Sequence, residues 1–324
     1  MSKLMDLQTT TPPQPSTTAV ALAFILKQLK KTQEATTEII ENDAAAAQLK
    51  AVHDLRVGAR RLRVAVGAFR SMLPKKLRHK LDRRFHKLQN AAARVRDLDV
   101  WRLELERLQR GRRYQPAAAF ALAKAASERQ ILSQRLKKKC RDRHHQGLWR
   151  WARKRMDSEL GAPKSAAPQG REAYTIIARE RLNKRLKEFE QAFRQAETDA
   201  PEDLHQARIA AKKVRYTVEI FRSAYAADAA TKAVKSLKAL QDSLGSLCDC
   251  IVFADLSKRL AEDPDADAQT RASLDLLEHH YQRRVSQKTM DFRLYWQHQG
   301  KDGPLQTLAT LASWTSPHET VVRS

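Results

Sequence analysis

Glycine and proline are scarce, 9 and 11 of 324 residues. This leaves little material for a turn-rich architecture, and the helix formers Ala, Leu, Arg, Lys, Gln and Glu dominate instead. Only three cysteines occur, Cys140, Cys248 and Cys250. That is no disulfide framework, and it fits a reducing compartment. The C-x-C of Cys248 and Cys250 has no second pair to complete a zinc site. His144-His145 and His279-His280 are adjacent pairs, not the i, i+4 pairs that a helical metal site uses. No metal or cofactor is expected. Aromatic residues make up 6% and do not interleave with the basic stretches, which argues against base stacking. Trp149, Trp151 and Trp296 read as core or interface residues. The apolar run Ala19–Leu26 is too short to span a bilayer, and the N-terminus lacks a secretory pattern. The expectation is a cytoplasmic protein without membrane insertion.

Acids are the other shortage. There are 37 Asp+Glu against 61 Lys+Arg, a net charge of +24. A field of this size attracts anions from solution and says little about fold. The charge is uneven. Residues 1–160 carry +21 and residues 161–324 only +3, although 205–238 form a basic island of eight Lys/Arg against Glu219 and Asp228.

Hydrophobic periodicity predicts an all-α protein. Residues 1–17 read as a disordered tail. Helices are expected at about 18–41, 50–72, 75–110 and 115–160, the last broken near Gly147. A Gly/Pro/Ser linker covers 161–170. Further helices are expected at about 171–198, 202–226, 228–262 and 266–297, before a C-terminal tail from 298 to 324. The two sets of four are related by an offset of 152 residues. His53-Asp-Leu-Arg-Val-Gly-Ala-Arg-Arg-Leu-Arg63 lies over His205-Gln-Ala-Arg-Ile-Ala-Ala-Lys-Lys-Val-Arg215, and eight of the nineteen positions from 53 to 71 are identical to their partners. The same register carries Gln89 onto Gln241, Asp97 onto Asp249 and Val100 onto Val252. The chain therefore reads as two four-helix units, 18–160 and 171–297, derived from one.

In the repeated helix, His53, Arg56, Arg60 and Arg63 recur at spacings of 3, 4 and 3 and share one face. The equivalents are His205, Arg208, Lys212 and Arg215. Leu55, Ala59, Leu62, Val66 and Phe69 form an opposite, core-facing stripe, and Ala207, Ala211, Val214, Val218 and Phe221 repeat it. A row of cations without interleaved acids is unfavourable in an isolated helix, because like charges at i, i+4 repel. It suits a linear anion, since Arg makes bidentate contacts to phosphate oxygens and Lys supplies point charges. Arg83, Arg84, His86, Lys87, Arg94 and Arg96 in the next helix, with Lys235 and Lys238 in the second repeat, add to this surface. Arg61 and Lys213 stand about 100° off the central stripe. Asp97 and Asp249 read as structural partners of nearby arginines. The runs Lys137–Arg141 and Arg150–Arg155 read either as solvated helix surface or as outer anion-binding patches.

The motif H-x-x-R-V-x-x-R-R-x-R, followed by a helix carrying R-D-L-D-V at Arg96–Val100 and duplicated, resembles the CHAD family, the conserved histidine α-helical domain. The resemblance covers about residues 18–297. It implies two four-helix bundles around a basic central cavity, binding of inorganic polyphosphate, and in some members association with polyphosphate granules. The sequence departs from the pattern in two places. Ala92-Ala93 replaces the Leu-Gly seen at Leu244-Gly245, and Cys248 stands where the first repeat has Arg96. No H-F-E-x-E-x-K segment of the triphosphate-tunnel type precedes the motif, so a stand-alone CHAD protein is expected. No nucleophile elbow, P-loop or metalloprotease motif is present, so no enzyme activity and no catalytic residue is expected. A polyphosphate-binding module is the leading expectation. Non-specific nucleic-acid binding is the alternative, since any chain this basic binds DNA or RNA at low salt, and an adaptor for acidic proteins is a third.

Overall fold

The computed structural model describes residues 17–160, 171–298 and 303–313, and the side chains of these outside 143–146 and 171–173. The expected linker 161–170, the tail residues 1–16 and the ring positions of His144-His145 lie outside the described residues. Ten α-helices and no strand occur among the described residues: α1 (Thr17–Glu41), α2 (Ala45–Ala68), α3 (Lys75–Gln109), α4 (Gln115–Arg141), α5 (Arg143–Leu160), α6 (Arg171–Gln195), α7 (Pro201–Ile220), α8 (Ala227–Ala261), α9 (Ala268–Gln297) and α10 (Pro304–Ser313). No described helix is long and apolar enough to cross a membrane.

Proline occupies the first turn of α4 and α7, where its missing N–H has no intrahelical role. Asp267 caps α9 by accepting from the Thr270 amide at 2.7 Å. Between α1 and α2, the Asn42 side chain accepts from the Ala44 amide at 2.9 Å, and the two helices then run in close contact. A Cβ on Gly58 would come within 2.5 Å of Thr32 Oγ1, so only glycine fits that crossing.

The offset of 152 reappears in the helix boundaries. α3 and α8 are both 35 residues long with starts and ends 152 apart, and α2 and α7 end at equivalent residues. Phe69 and Phe221, also equivalents, touch each other at 5.3 Å between ring centroids, as residues beside a pseudo-twofold axis do. Both apolar stripes read from the repeated motif are buried, with Val66 at 3% exposure and Leu55, Ala59, Leu62, Phe69, Ala207, Ala211, Val214, Val218 and Phe221 all at 0%.

Two features differ from the sequence reading. The break in the fourth segment falls at Asp142, whose backbone is extended, and Gly147 lies inside α5. The turn lets α5 lay Leu148, Ala152, Met156 and Leu160, one turn apart, into the core. Burial of that stripe outweighs the roughly 1 kcal/mol cost of a helical glycine. The expected C-terminal tail contains α10, which packs against α8 through Leu308 and Leu311. It also hydrogen-bonds to α8 through Thr307 and Ser236 at 2.9 Å. The sequence pattern of ten uncharged residues was too short to stand out. The buried apolar residues form two clusters, and each draws on both halves of the chain. Lys124 to Asp263 (3.0 Å) and Arg284 to Glu104 (2.6 Å) tie the halves further.

Candidate functional site

The basic residues of α2 and α7 converge where these two helices pack. The amine of Lys212 on α7 is pushed down to about 7, first by desolvation and then by Arg208 beside it and Arg60 and Arg56 from α2. Arg56 is pushed down to about 10 by desolvation, with Arg60 the next cause. Four cations from the two repeats thus share one partly buried volume, and the charge on Lys212 and Arg56 is opposed by the cations around them. Arg56 and Arg208, equivalents under the offset, each bury their guanidinium Nε without a protein partner among the described residues. Such an orphan donor is costly, and its recurrence at equivalent positions marks it as a property of the repeat.

Two carboxylates enter the cluster from α3 and α8. Asp97 and Asp249 are equivalents, and both are pushed upward by desolvation, against the pull of Arg56 and Arg208. Asp249 lies 3.9 Å from the Arg208 guanidinium, within reach but longer than a good hydrogen bond. These acids moderate the repulsion without neutralising it. Gly245 on α8 makes room for Arg208, since a Cβ there would lie 3.4 Å from the guanidinium. The sequence signal for that contact was the Leu-Gly pair. His53 and His205 are exposed, and their imidazoles are held below the usual range by desolvation and then by Arg56 and Arg208 respectively.

Beside the cluster, α3 and α8 stand on either side of a cleft of about 470 Å³. Arg96, Glu104, Arg208, Gly245, Asp249 and Arg284 line it among others, so Arg208 and Asp249 belong to both cleft and cluster. Arg96 was expected to add to the basic surface, whereas Glu104 and Arg284 were not among the expected site residues. Arg284 sits on the fourth helix of its repeat, which carries no copy of the motif.

The remaining expected residues divide into three groups. Arg61, Arg63 and Arg215 are engaged by carboxylates of the chain itself. Arg63 donates to Asp82 at 2.7 Å and to Gln89 at 3.1 Å. Glu219 accepts from Arg61 at 3.1 Å and pairs with Arg215 at 3.3 Å. The stripe meets acids from other helices, which linear spacing does not reveal, and in α7 it also meets Glu219, the i, i+4 neighbour of Arg215. Arg83 and His86 on α3 and Lys235 and Lys238 on α8 are exposed. At about 100° per residue they fall within about 40° of Asp97 and Asp249 respectively, so they continue the polar face of each helix away from the cluster. Lys87 and Lys213 are exposed as well, but turned aside, by about 80° from Asp97 and about 100° from Lys212. They do not join the central face.

Comparison with known proteins bears on the fold and the family. The CHAD domain profile matches residues 23–258. The crystal structure of the CHAD domain from the plant Ricinus communis is similar to this chain at a TM-score of 0.69 and 19% identity, covering 96% of this chain and 97% of that one. PptA from Streptomyces chartreusis is similar at a TM-score of 0.57 and 16% identity, covering 87% of this chain and 100% of its own. No match emerges among curated proteins. With more than half its length matched by the family profile, the fold of a solved CHAD domain and the repeated motif in register, the chain belongs to the CHAD domain family.

Proposed function

We propose that this protein binds inorganic polyphosphate at the junction of α2 and α7, with Arg56, Arg60, Arg208 and Lys212 as the central ligands. The observation that carries this reading is the pair of equivalent arginines, Arg56 and Arg208, with buried unpartnered Nε atoms beside a lysine held at about 7. A polyanion threaded along this line would supply acceptors to the orphan donors and allow Lys212 to take its proton. His53, His205, Arg83, His86, Lys235 and Lys238 extend the contact, and Arg96 and Arg284 receive phosphates that enter the cleft. The family's link to polyphosphate supports the substrate class. The role is binding rather than catalysis, in a cytoplasmic setting that includes association with polyphosphate granules.

The test is a competition titration of labelled long-chain polyphosphate against DNA, on the wild type and two triple variants. Replacing Arg56, Arg208 and Lys212 by Ala should weaken polyphosphate binding by orders of magnitude, since well-formed charge-assisted contacts contribute roughly 1.5–3 kcal/mol each. Replacing Lys137, Lys138 and Lys139 removes the same formal charge and should cost little. Equal losses, or DNA competing as well as polyphosphate at equal charge, would move the reading to non-specific nucleic-acid binding.

A further inference from the structure

The first half holds most of the protein's excess charge, yet both halves contribute to the cluster. The excess concentrates elsewhere, along the seam between α3 and α5. Residues 75–87 of α3 contain seven Lys/Arg and a single acid, Asp82, which is already engaged by Arg63. Across the seam, α5 presents Trp151 with Lys154 and Arg155 one turn further on, and Arg150 and Arg153 beside them. Lys80 Nζ sits 4.6 Å from the Trp151 ring centroid and the Arg84 guanidinium 5.2 Å from it. Phe85 and Trp149 lock the two helices together beneath, at 5.6 Å. Lys76, Lys80, Lys87, Lys154 and Arg155 are exposed.

The second half supplies an internal control. At the same offset, Arg84 corresponds to Ser236, and Ser236 bonds Thr307 of α10, just as Arg84 covers Trp151 of α5. α10 has no charged residue, and residues 227–239 carry only three lysines. The fold therefore closes this kind of seam without cations. Packing does not call for the twelve-residue basic track of 76–87, nor for Lys154 and Arg155 opposite it, so the charge there answers to something outside the chain.

The track borders the central site. Arg83, on the Asp97 side of α3, is one turn from Lys87, and Lys80 lies about 25 Å along the helix from Asp97 at about 1.5 Å per residue. We infer that the α3/α5 seam is an extension surface for the same linear phosphate polymer, engaged only by chains long enough to run from the cluster past Lys87 and Arg83 onto Lys80, Lys154 and Arg155. This rests on the proposed polyphosphate site. The equivalent seam of the second half has three lysines on α8 and no charge on α10, so the polymer leaves the central site on the more basic first-half side.

The experiment compares tripolyphosphate, too short to reach from cluster to seam, with long-chain polyphosphate. The seam variant carries Lys80→Gln, Lys87→Gln, Lys154→Gln and Arg155→Gln, all at exposed positions. A control carries Lys187→Gln, Lys258→Gln, Arg271→Gln and Arg283→Gln, with the same change in charge. The seam variant should lose about tenfold or more in affinity for long chains, with a shallower salt dependence, and bind tripolyphosphate within about twofold of wild type. Unchanged long-chain affinity, or an equal loss in the control, would overturn the seam. A seam variant that instead loses single-stranded oligonucleotide while keeping long-chain polyphosphate would also overturn it, and would assign the surface to nucleic acid. Failure of the underlying site looks different: the Arg56, Arg208 and Lys212 triple variant would then bind both phosphates like wild type.

Discussion

Lys212 turns the electrostatic crowding of the site into a measurable proton. Desolvation, with Arg208 on its own helix and Arg60 and Arg56 on α2, holds its amine at about 7, against the mild opposing pull of Cys248 on α8. Asp249, also on α8, feels the same lysine. An anion placed among these groups raises the amine's pKa, because opposite charge favours the ammonium form. Binding above pH 7 must then take up a proton. Below about 7 the amine is charged in the free and the bound protein alike, and affinity is independent of this group. Above 7, each pH unit costs a factor of ten until the bound-state pKa is reached, so affinity at pH 9 should be up to ~100-fold weaker than at pH 7, or about 2.7 kcal/mol. His53 and His205 are held below their usual range, so their proton uptake belongs to more acidic solutions. Cys248 is pushed upward, away from the window. Titration calorimetry at pH 8 in two buffers of different ionisation enthalpy should show proton uptake approaching one per site. Lys212→Arg keeps the charge at all these pH values and should abolish both the uptake and the slope. Stability runs the other way. With its folded pKa below the unfolded value of about 10.4, Lys212 leaves the unfolded chain binding more protons between about 7 and 10.4, so the ligand-free protein should gain stability as pH rises through that range. An affinity that is flat from pH 7 to 9 at fixed low salt, or the same slope in wild type and Lys212→Arg, would refute the argument.

Three further outcomes follow from single contacts. Glu219→Gln should release Arg61 and Arg215, which it now engages at 3.1 and 3.3 Å, and raise polyphosphate affinity several-fold with a steeper salt dependence; weaker binding would mean that these arginines need Glu219 to be positioned. Gly245→Val should leave the circular-dichroism spectrum unchanged but lower affinity about tenfold, since a Cβ already in contact with Arg208 at 3.4 Å would carry two methyl groups against the guanidinium, at a cost of roughly one charge-assisted bond; unaltered binding would remove Arg208 from the site. Phe69→Ala, at a fully buried position against its own equivalent Phe221, should cost about 3–5 kcal/mol in denaturant unfolding, and a loss below 1 kcal/mol would show that the junction of the halves relaxes around the gap.

What could be read from the sequence followed from what is periodic in it. The apolar stripes from Leu55 to Phe69 and from Ala207 to Phe221 recur at helical spacing, and every one of these residues named above is buried. The same periodicity put Arg56, Arg60, Arg208 and Lys212 on matching faces, and the fold brings those faces together. Short or aperiodic features escaped. α10 has ten residues and no charge, and the bend at Asp142 arises because α5 turns to bury its own stripe, not because a breaker residue sits there. The partners of Arg61 and Arg63 lie 158 and 19 residues away, beyond the reach of any pattern along one helix.

The two kinds of arginine in the motif separate by what the rest of the chain offers them. Arg63 and Arg215 are equivalents, and both found a carboxylate, Asp82 from α3 in one repeat and Glu219 one turn along the same helix in the other. Two different solutions at equivalent positions indicate a requirement to neutralise that end of the stripe, where it meets the buried Phe69–Phe221 contact. Arg56 and Arg208 are also equivalents, and in both repeats the nearby acid stops short of neutralising them. Asp249 stays 3.9 Å from Arg208, and Asp97 is itself pushed toward its protonated form. A helix that balances charge at one end and leaves it unbalanced at the other, twice, in register, is what the proposed polyphosphate site requires. On the proposed reading, the acids near it hold four cations together in the ligand-free protein and are weak enough as partners to yield to a polyanion.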